Sequence, residues 1–292
     1  MDLVTSSMVS EFAAANDLTG RQESDRFEAF VAHCVLSNEF DDEFVAFEQC
    51  TGGGNDYALD SASLIVNGNL IDSVDQITDL ENQNHYLEAK FVFTQAKTSQ
   101  NFDGFVISTL ADNLDDLFSD HPSFPMNEDI AAFRELITEL FERSVSFRRG
   151  SPDLILRYAT TGTWTEDPYL LGKIDSAKNR LDTSNLFGVV DIACLGAKEL
   201  HALYRRSMSA VEESFEFADA IVLPEIAGVK ESYIGFVPVA EYLKLITDPS
   251  GSIRRSLFYD NVRDFQDYNT VNQGIADTLK QPDQQDRFVL LK

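Results

Sequence analysis

Two apolar segments with a period-two pattern constrain the fold more than any other feature of this sequence. In the first segment, every second residue from Asp60 to Val66 points to one face of a strand; in the second, every second residue from Phe91 to Lys97 does so. In an antiparallel pair, the start of the first strand lies beside the end of the second. We therefore expect Asp60 to meet Gln95 and Lys97 at one rim of a sheet.

An aspartate, a glutamine and a lysine at one rim can act together on a phosphate. Carboxylate and carbonyl oxygens are ligands that Mg²⁺ accepts while it keeps several waters, and a lysine supplies positive charge or proton transfer. Phosphodiester hydrolysis needs charge neutralisation, an activated water and help for the leaving oxygen, which a bound Mg²⁺ provides. The sequence therefore predicts a metal-dependent site at Asp60, Gln95 and Lys97.

The order and spacing of these residues resemble the PD-(D/E)XK, or restriction-endonuclease-like, nucleases, and more closely the branch in which glutamine replaces the second acid. Other motifs resemble the abortive-infection phage-resistance (AIPR) family and cover most of residues 25–291. Members of that family usually continue past this point, whereas the chain stops at Lys292. The motifs are TGGGND (51–56), SLIVNG (63–68), FVFTQAKTS (91–99), YIGFVPVAEYLKLI (233–246), GSIRRSLFYDNVRDFQ (251–266), NTVNQGIADTL (269–279) and DRFVLL (286–291).

The resemblance implies an α/β protein. Its N-terminal core would be restriction-endonuclease-like, with a mixed sheet flanked by helices, and a second α/β domain would follow. It also implies that Asp60, the side chain of Gln95 and the backbone carbonyl of Ala96 hold Mg²⁺ or Mn²⁺, with Lys97 beside the attacking water. Asp60, Gln95 and Lys97 are then the expected catalytic residues.

A single carboxylate provides too few charged ligands for a divalent cation, so we expect another acidic residue in the site. Glu28 is our first choice, by analogy with nucleases whose first helix lends a glutamate, although most glutamates on helices are simply solvated. Glu48 and Asp56 remain alternatives. The sequence leaves the choice among these three acids open.

A second segment also spells the E-x-K pattern of such nucleases, at Glu88-Ala89-Lys90. In the expected hairpin it pairs near Val66, about six residues or about 20 Å from Asp60 at the rise of a strand. One metal ion cannot bridge that distance. We therefore exclude this segment from the site.

The chain is long enough, at 292 residues, for two domains with separate cores. Turn-forming residues at 148–152 end an acidic stretch, and the boundary is therefore placed between residues 149 and 150. This division gives a nuclease-like domain at 1–149 and a second α/β domain of AIPR type at 150–292, short at its C-terminus relative to the family.

The expected secondary structure is helix, strands and helices in the first domain, followed by α/β alternation and two final helices. Strands are predicted at 58–67, 86–97, 153–160, 187–194, 214–223 and 230–237. Helices are predicted at 24–36, within 72–84, and at 101–118, 127–143, 168–181, 197–206, 239–247, 254–264 and 270–280.

Composition excludes several classes of protein. No apolar run approaches the roughly 18 residues of a membrane-spanning helix, and the acidic N-terminus is not a secretory signal. Three dispersed cysteines argue against a disulfide framework and a structural zinc site. We expect a cytoplasmic protein that does not contact a membrane.

The net charge of −26 is the strongest argument against nucleic-acid binding, because such binding relies on basic residues. Residues 1–150 carry 8 Lys/Arg against 28 Asp/Glu. A missing C-terminal portion, a partner chain (a defence protein or a second copy in a homo-oligomer) or a local arginine patch could supply the positive charge. The candidate arginines are Arg143, Arg148, Arg149, Arg205, Arg206, Arg254 and Arg255.

The preferred hypothesis is a Mg²⁺-dependent endonuclease of bacterial anti-phage defence that cleaves nucleic acid, DNA rather than RNA. One alternative is a catalytically silent, nuclease-like scaffold that binds a partner protein. The other is a subunit that becomes active only on assembly. The sequence assigns no chemistry to Arg263 or to the second domain.

Overall fold

The computed structural model describes residues 1–40, 43–147, 150–208, 214–222 and 232–247, together with the strand at 288–291. The chain divides into two compact units, Met1–Ser209 and Ala210–Lys292. No helix in the described part of the chain is long and apolar enough to cross a membrane.

The first unit is built on a mixed five-stranded sheet with the strand order β2-β1-β3-β4-β5. Strands β2, β1 and β3 pair antiparallel, while β3, β4 and β5 run parallel. The strands are β1 (Ser61–Val66), β2 (Asn69–Ile71), β3 (Ala89–Lys97), β4 (Asp153–Thr160) and β5 (Val190–Leu195).

In the described part of this unit, seven α-helices cover both faces of the sheet, which gives the α/β architecture expected from the sequence. They are α1 (Leu3–Ala15), α2 (Glu23–Leu36), α3 (Val74–Asn84), α4 (Gly104–Leu117), α5 (Glu128–Glu142), α6 (Pro168–Asp182) and α7 (Ala197–Ser207). Several begin at a residue whose side-chain oxygen accepts backbone N–H groups of the first turn, as at Asp2, Asp103, Asn127 and Asp167.

Alternate residues of β3 enter two separate cores. Phe91 and Phe93 pack into one core with residues of α4, α5 and α6. Val92 and Ala96 pack into the other with residues of α1, α2 and α7. The period-two pattern in the sequence therefore reflects a strand that is buried on both faces.

The predicted antiparallel pairing of the two apolar segments is confirmed. Ser61 lies opposite Thr94, and Val66 lies opposite Ala89. The excluded E-x-K segment therefore lies at the far end of the pair from Asp60, where the Lys90 ammonium binds Glu39 at 2.7 Å.

The division of the chain differs from the predicted boundary between residues 149 and 150. β4 pairs in parallel with β3, and β5 extends the same sheet, so residues 150–208 complete the core of the first unit. Parallel strands are joined by long crossovers, and a turn between them resembles a domain linker in sequence.

The second unit contains an antiparallel sheet in the order β6-β7-β8, formed by Ala218–Val222, Tyr233–Pro238 and Phe288–Leu291, and one described helix, α8 (Val239–Ile246). The predicted strands near 214–223 and 230–237 and the helix at 239–247 agree with these bounds. The predicted helices at 254–264 and 270–280, which include Arg263, lie outside the described residues.

Backbone contacts join the loops that follow β3, β4 and β5. Thr161 donates its N–H to the Ser99 carbonyl at 3.0 Å, and Ala197 donates to the Gly162 carbonyl at 2.7 Å. A Cβ on Gly162 would overlap the carbonyl oxygen of Gln100. The glycine therefore lets these loops pack closely at the end of the sheet where β3 terminates at Lys97.

Gly162→Ala should lower the free energy of unfolding by about 1–3 kcal/mol, because backbone must move to accept the methyl group. Urea denaturation measures this loss. Gly20→Ala is the control, since its added Cβ meets nothing within 4 Å. Equal unfolding free energies for Gly162→Ala and the wild type would contradict the close loop packing.

Candidate active site

The carboxylate of Asp60 lies at the point where β3 extends past the start of β1. Its Oδ2 atom accepts the backbone N–H of Ala96 at 2.6 Å and also accepts a hydrogen bond from Nε2 of Gln95. The backbone N–H of Asp60 donates to the Thr94 carbonyl at 2.8 Å. The structure therefore brings Asp60 and Gln95 together, as the antiparallel pairing predicts.

Two oxygens beside Asp60 are suited to a hard cation. Ala96 donates its N–H to Asp60, and its carbonyl oxygen lies 3.5 Å from Nε2 of Gln95, the same atom that donates to Asp60. Gln95 is only 1% exposed. Since its Nε2 donates to Asp60, its Oε1 remains as an acceptor, and within the described residues Oε1 accepts no hydrogen bond.

Lys97 and Glu28 approach this point from different elements. Lys97 is the exposed last residue of β3, and Glu28 is a half-buried residue of α2. Neither forms a hydrogen bond or an ion pair with the described part of the chain. The charges of Glu28, Asp56 and Lys97 all act on Asp60, which places the four groups in one cluster.

The cluster holds more negative charge than Lys97 offsets. Burial, together with the charges of Glu28 and Asp56, raises the pKa of Asp60 to about 7, although the Ala96 N–H and the charge of Lys97 oppose the rise. Burial and the neighbouring acids Asp25 and Asp56 also raise the pKa of Glu28, against the opposing charge of Lys97. Carboxylates in this state gain stability from an added cation.

The donor set suits Mg²⁺ or Mn²⁺. The described residues contain no group of three His, Cys, Asp or Glu side chains arranged to hold a metal ion. Asp60 and Glu28 supply two carboxylates, however, and Gln95 and the Ala96 carbonyl supply two neutral oxygens. Mg²⁺ commonly binds one or two carboxylates and keeps several waters, so these residues fit the ion.

The two other candidate acids lie in different surroundings. Asp56 belongs to the turn before Asp60, and its charge acts on both Asp60 and Glu28. Glu48 instead lines a groove of about 430 Å³ beside β2, and its charge is not among the main ones that shift the pKa of Asp60. The structure therefore favours Glu28 and Asp56 over Glu48.

The turn that leads into Asp60 is strained. Asn55, Tyr57 and Ala58 have φ angles of +62°, +58° and +53°, in the left-handed region that non-glycine residues seldom adopt. This conformation costs about 1–2 kcal/mol per residue. Such strain is concentrated at functional sites. The strand was predicted to begin at residue 58, but β1 begins at Ser61 because the strained turn occupies residues 55–58.

Sequence reasoning missed the side chains that hold this turn. Asn113 and Asp116 lie three residues apart on α4, and both contact Tyr57. Their spacing shows that they share a face of the helix. Their contacts with Tyr57, which lies 56 and 59 positions earlier in the chain, cannot be predicted from the pattern of a single sequence.

Comparison of the chain with protein-family models, with curated proteins and with solved structures found no match in any of the three. The resemblance to the AIPR and PD-(D/E)XK proteins therefore rests on the sequence motifs.

Asp60→Asn should stabilise the metal-free protein at neutral pH. The pKa of Asp60 rises from 3.8 in the unfolded chain to about 7 in the folded protein, so folding favours the protonated carboxyl. In the wild type, the stabilisation from this protonated carboxyl is complete below about pH 4 and is lost as the pH rises through about 7. The neutral amide of the variant does not lose stability in this way. Three pKa units correspond to about 4 kcal/mol at most, and partial solvent access reduces the expected gain to about 1–2 kcal/mol.

Urea denaturation in a chelator, repeated from pH 4 to pH 8, measures this difference. The advantage of Asp60→Asn should grow with pH across the range. Asp79→Asn, on the exposed side of α3, controls for the removal of one negative charge. If Asp60→Asn is less stable than the wild type at every pH, then burial of the ionised Asp60 carboxylate does not destabilise the protein.

Proposed function

We propose that this chain is a metal-dependent nuclease whose first unit has a restriction-endonuclease-like fold. The observation that supports this most directly is the hydrogen bonding of the Asp60 carboxylate to both Gln95 and Ala96 at the end of β3. The proposed catalytic residues are Asp60, Gln95 and Lys97. Asp60 and Gln95 are hydrogen-bonded although 34 residues separate them in the chain, and the charge of Lys97 acts on Asp60.

The residues that would hold Mg²⁺ or Mn²⁺ are Asp60, Gln95 through Oε1, Ala96 through its carbonyl, and Glu28. When bound, the ion would neutralise the charge of a phosphodiester, activate a water and stabilise the leaving oxygen. Asp56 is the further acid within the same charge cluster. The strained backbone before Asp60 supports a site that is fixed in advance.

Lys97 supplies the positive charge of the site. Its side chain is exposed at the end of β3 and forms no ion pair with the described residues, so its ammonium is available to a phosphate. Lys90, on the same strand, differs because Glu39 already neutralises it. We assign Lys97 to phosphate binding or to proton transfer near the attacking water.

The proposed substrate is nucleic acid, DNA rather than RNA, and the proposed setting is cytoplasmic anti-phage defence as in the AIPR family. Arg143 cannot contribute to a basic binding patch, because it forms ion pairs with Glu81 and Glu139. With a net charge of −26, the chain needs basic surface from a partner defence protein or from an oligomer. Activity that appears only on assembly agrees with this requirement.

The second candidate function is a catalytically silent scaffold that binds a basic partner protein. The observation that favours it is the excess of acidic residues, which opposes contact with nucleic acid and favours contact with a positively charged surface. In that case the charge cluster at Asp60 would hold neither a cation nor a substrate.

Asp60→Ala and Lys97→Ala should each lower Mg²⁺-dependent cleavage of DNA by about 100-fold or more, because each removes charge stabilisation from the reacting phosphate. Cleavage of single- and double-stranded oligonucleotides and protection of cells against phage are the measurements. Lys90→Ala, on the same strand, is the matched control and should retain activity. Full cleavage and protection by both site variants would exclude catalysis at this site.

Calorimetric titration with Mn²⁺ separates the nuclease from the scaffold. The wild type should bind the ion, and Glu28→Gln should bind it about 10-fold more weakly because one carboxylate is lost. Glu48→Gln should bind it as the wild type does. The scaffold would be favoured if the wild type released or absorbed no heat of binding.

A further inference from the structure

The backbone of the strained turn is held by the side chain of Asn113 on α4. Its Nδ2 donates to the carbonyl oxygen of Tyr57 at 2.6 Å. Tyr57 is one of the three turn residues with positive φ, and its carbonyl belongs to the peptide that joins it to Ala58, a second of the three. The hydrogen bond therefore acts where the backbone departs from its ordinary conformation.

The side chain of Tyr57 is held by the same helix. Its hydroxyl donates to Oδ2 of Asp116 at 2.7 Å and lies 3.2 Å from the Phe124 carbonyl, and the residue is 4% exposed. Burial and the Asp116 carboxylate raise the pKa of the phenol, so the hydroxyl remains a donor. Tyr57 is thus fixed at both its backbone and its ring.

Asp116 is itself held in place by the segment that follows α4. It accepts the N–H of Ser123 at 2.9 Å, the hydroxyl of Ser123 at 2.6 Å and the N–H of Phe124 at 3.1 Å. Desolvation opposes ionisation of Asp116, but the hydrogen bonds from Ser123, Tyr57 and Phe124 outweigh it and lower its pKa to about 2. The acceptor of the Tyr57 hydroxyl is therefore a charged group in a fixed position.

The turn connects these contacts to the candidate site over three residues. Ala58 and Leu59 donate their N–H groups to Asp56, at 2.9 Å to its carboxylate and 3.0 Å to its carbonyl. Leu59 is fully buried, and Asp60 follows it. The backbone N–H of Asp60 also donates to the Thr94 carbonyl of β3. Loss of the α4 contacts should therefore change the direction of the Asp56 and Asp60 side chains while β1 stays paired with β3.

We propose that Asn113 and Asp116 are positioning residues that act through Tyr57. They keep the strained turn in the conformation that directs the carboxylates of Asp56 and Asp60 toward the cation-binding oxygens. The cation-binding part of this inference rests on the proposed function, whereas the effect on the Asp60 carboxylate does not.

The amide group of Ala96 reports the Asp60 carboxylate without metal or substrate, because the two are hydrogen-bonded at 2.6 Å. Asn113→Ala and Tyr57→Phe should each shift the Ala96 amide resonance and raise its hydrogen-exchange rate about 10-fold. The amide of Phe93, on the same strand, should change little. Asp115→Ala is the matched control on α4, since Asp115 binds Arg180 and, within the described residues, forms no hydrogen bond or ion pair with the turn.

The same variants are then titrated with Mn²⁺ and assayed for cleavage. Asn113→Ala and Tyr57→Phe should weaken Mn²⁺ binding about 5-fold and lower kcat more than they change KM for the oligonucleotide. Asp115→Ala should change neither, even where its melting temperature falls as much. Tyr57→Phe keeps the ring in the core, so it tests the hydroxyl without opening a cavity.

The outcomes separate the inference from the proposed function. An Ala96 amide that is unchanged in both Asn113→Ala and Tyr57→Phe would overturn the positioning role. Equal effects of Asp115→Ala on the Ala96 amide would also overturn the positioning role, because they would show that any loss of stability in α4 changes this amide. If the amide responds as expected but the wild type neither binds Mn²⁺ nor cleaves DNA, the positioning of Asp60 stands and the nuclease proposal fails.

Discussion

The candidate site depends on one hydrogen bond, from the backbone N–H of Ala96 to the carboxylate of Asp60. It forms because β1 and β3 pair antiparallel in a register that places Ser61 opposite Thr94 and leaves the end of β3 to extend past β1. A slip of one residue would turn every side chain of a strand to the opposite face. The two cores on either side of β3 prevent that slip, so the packing of the sheet fixes the geometry of the site.

Electrostatics connects this geometry to function. Asp60 and Glu28 are partly buried acids near Asp56, and Lys97 balances only part of their charge. A carboxylate whose pKa is raised to about 7 lowers the stability of the folded protein at neutral pH, and so does a turn with several left-handed residues. Features that lower stability are typical of functional sites. A cation bound at the site, as the proposed function requires, would explain both features. Under the proposed function, the overall acidity of the chain would require a partner surface for contact with nucleic acid.

Local periodicity in the sequence predicted most helices and strands of the first unit, because apolar spacing records directly which face of an element is buried. The edge strand β2 was not predicted, since three residues are too few for a pattern. The helix α1 was also not predicted, although its buried Thr5, Val9, Phe12 and Ala13 have helical spacing. The domain boundary was misplaced because parallel pairing of β4 with β3 is a long-range contact that a local pattern does not record. The proximity of Asp60 to Gln95 was predictable from strand pairing, but the support from α4 was not.

The most direct test of the account is a crystal structure of the protein grown with Mn²⁺, with data recorded at the manganese absorption edge. The account predicts one anomalous peak within about 2.5 Å of the Asp60 carboxylate, the Gln95 side-chain oxygen and the Ala96 carbonyl. A fully occupied peak elsewhere, such as the acidic groove beside β2, with none at Asp60, would contradict it.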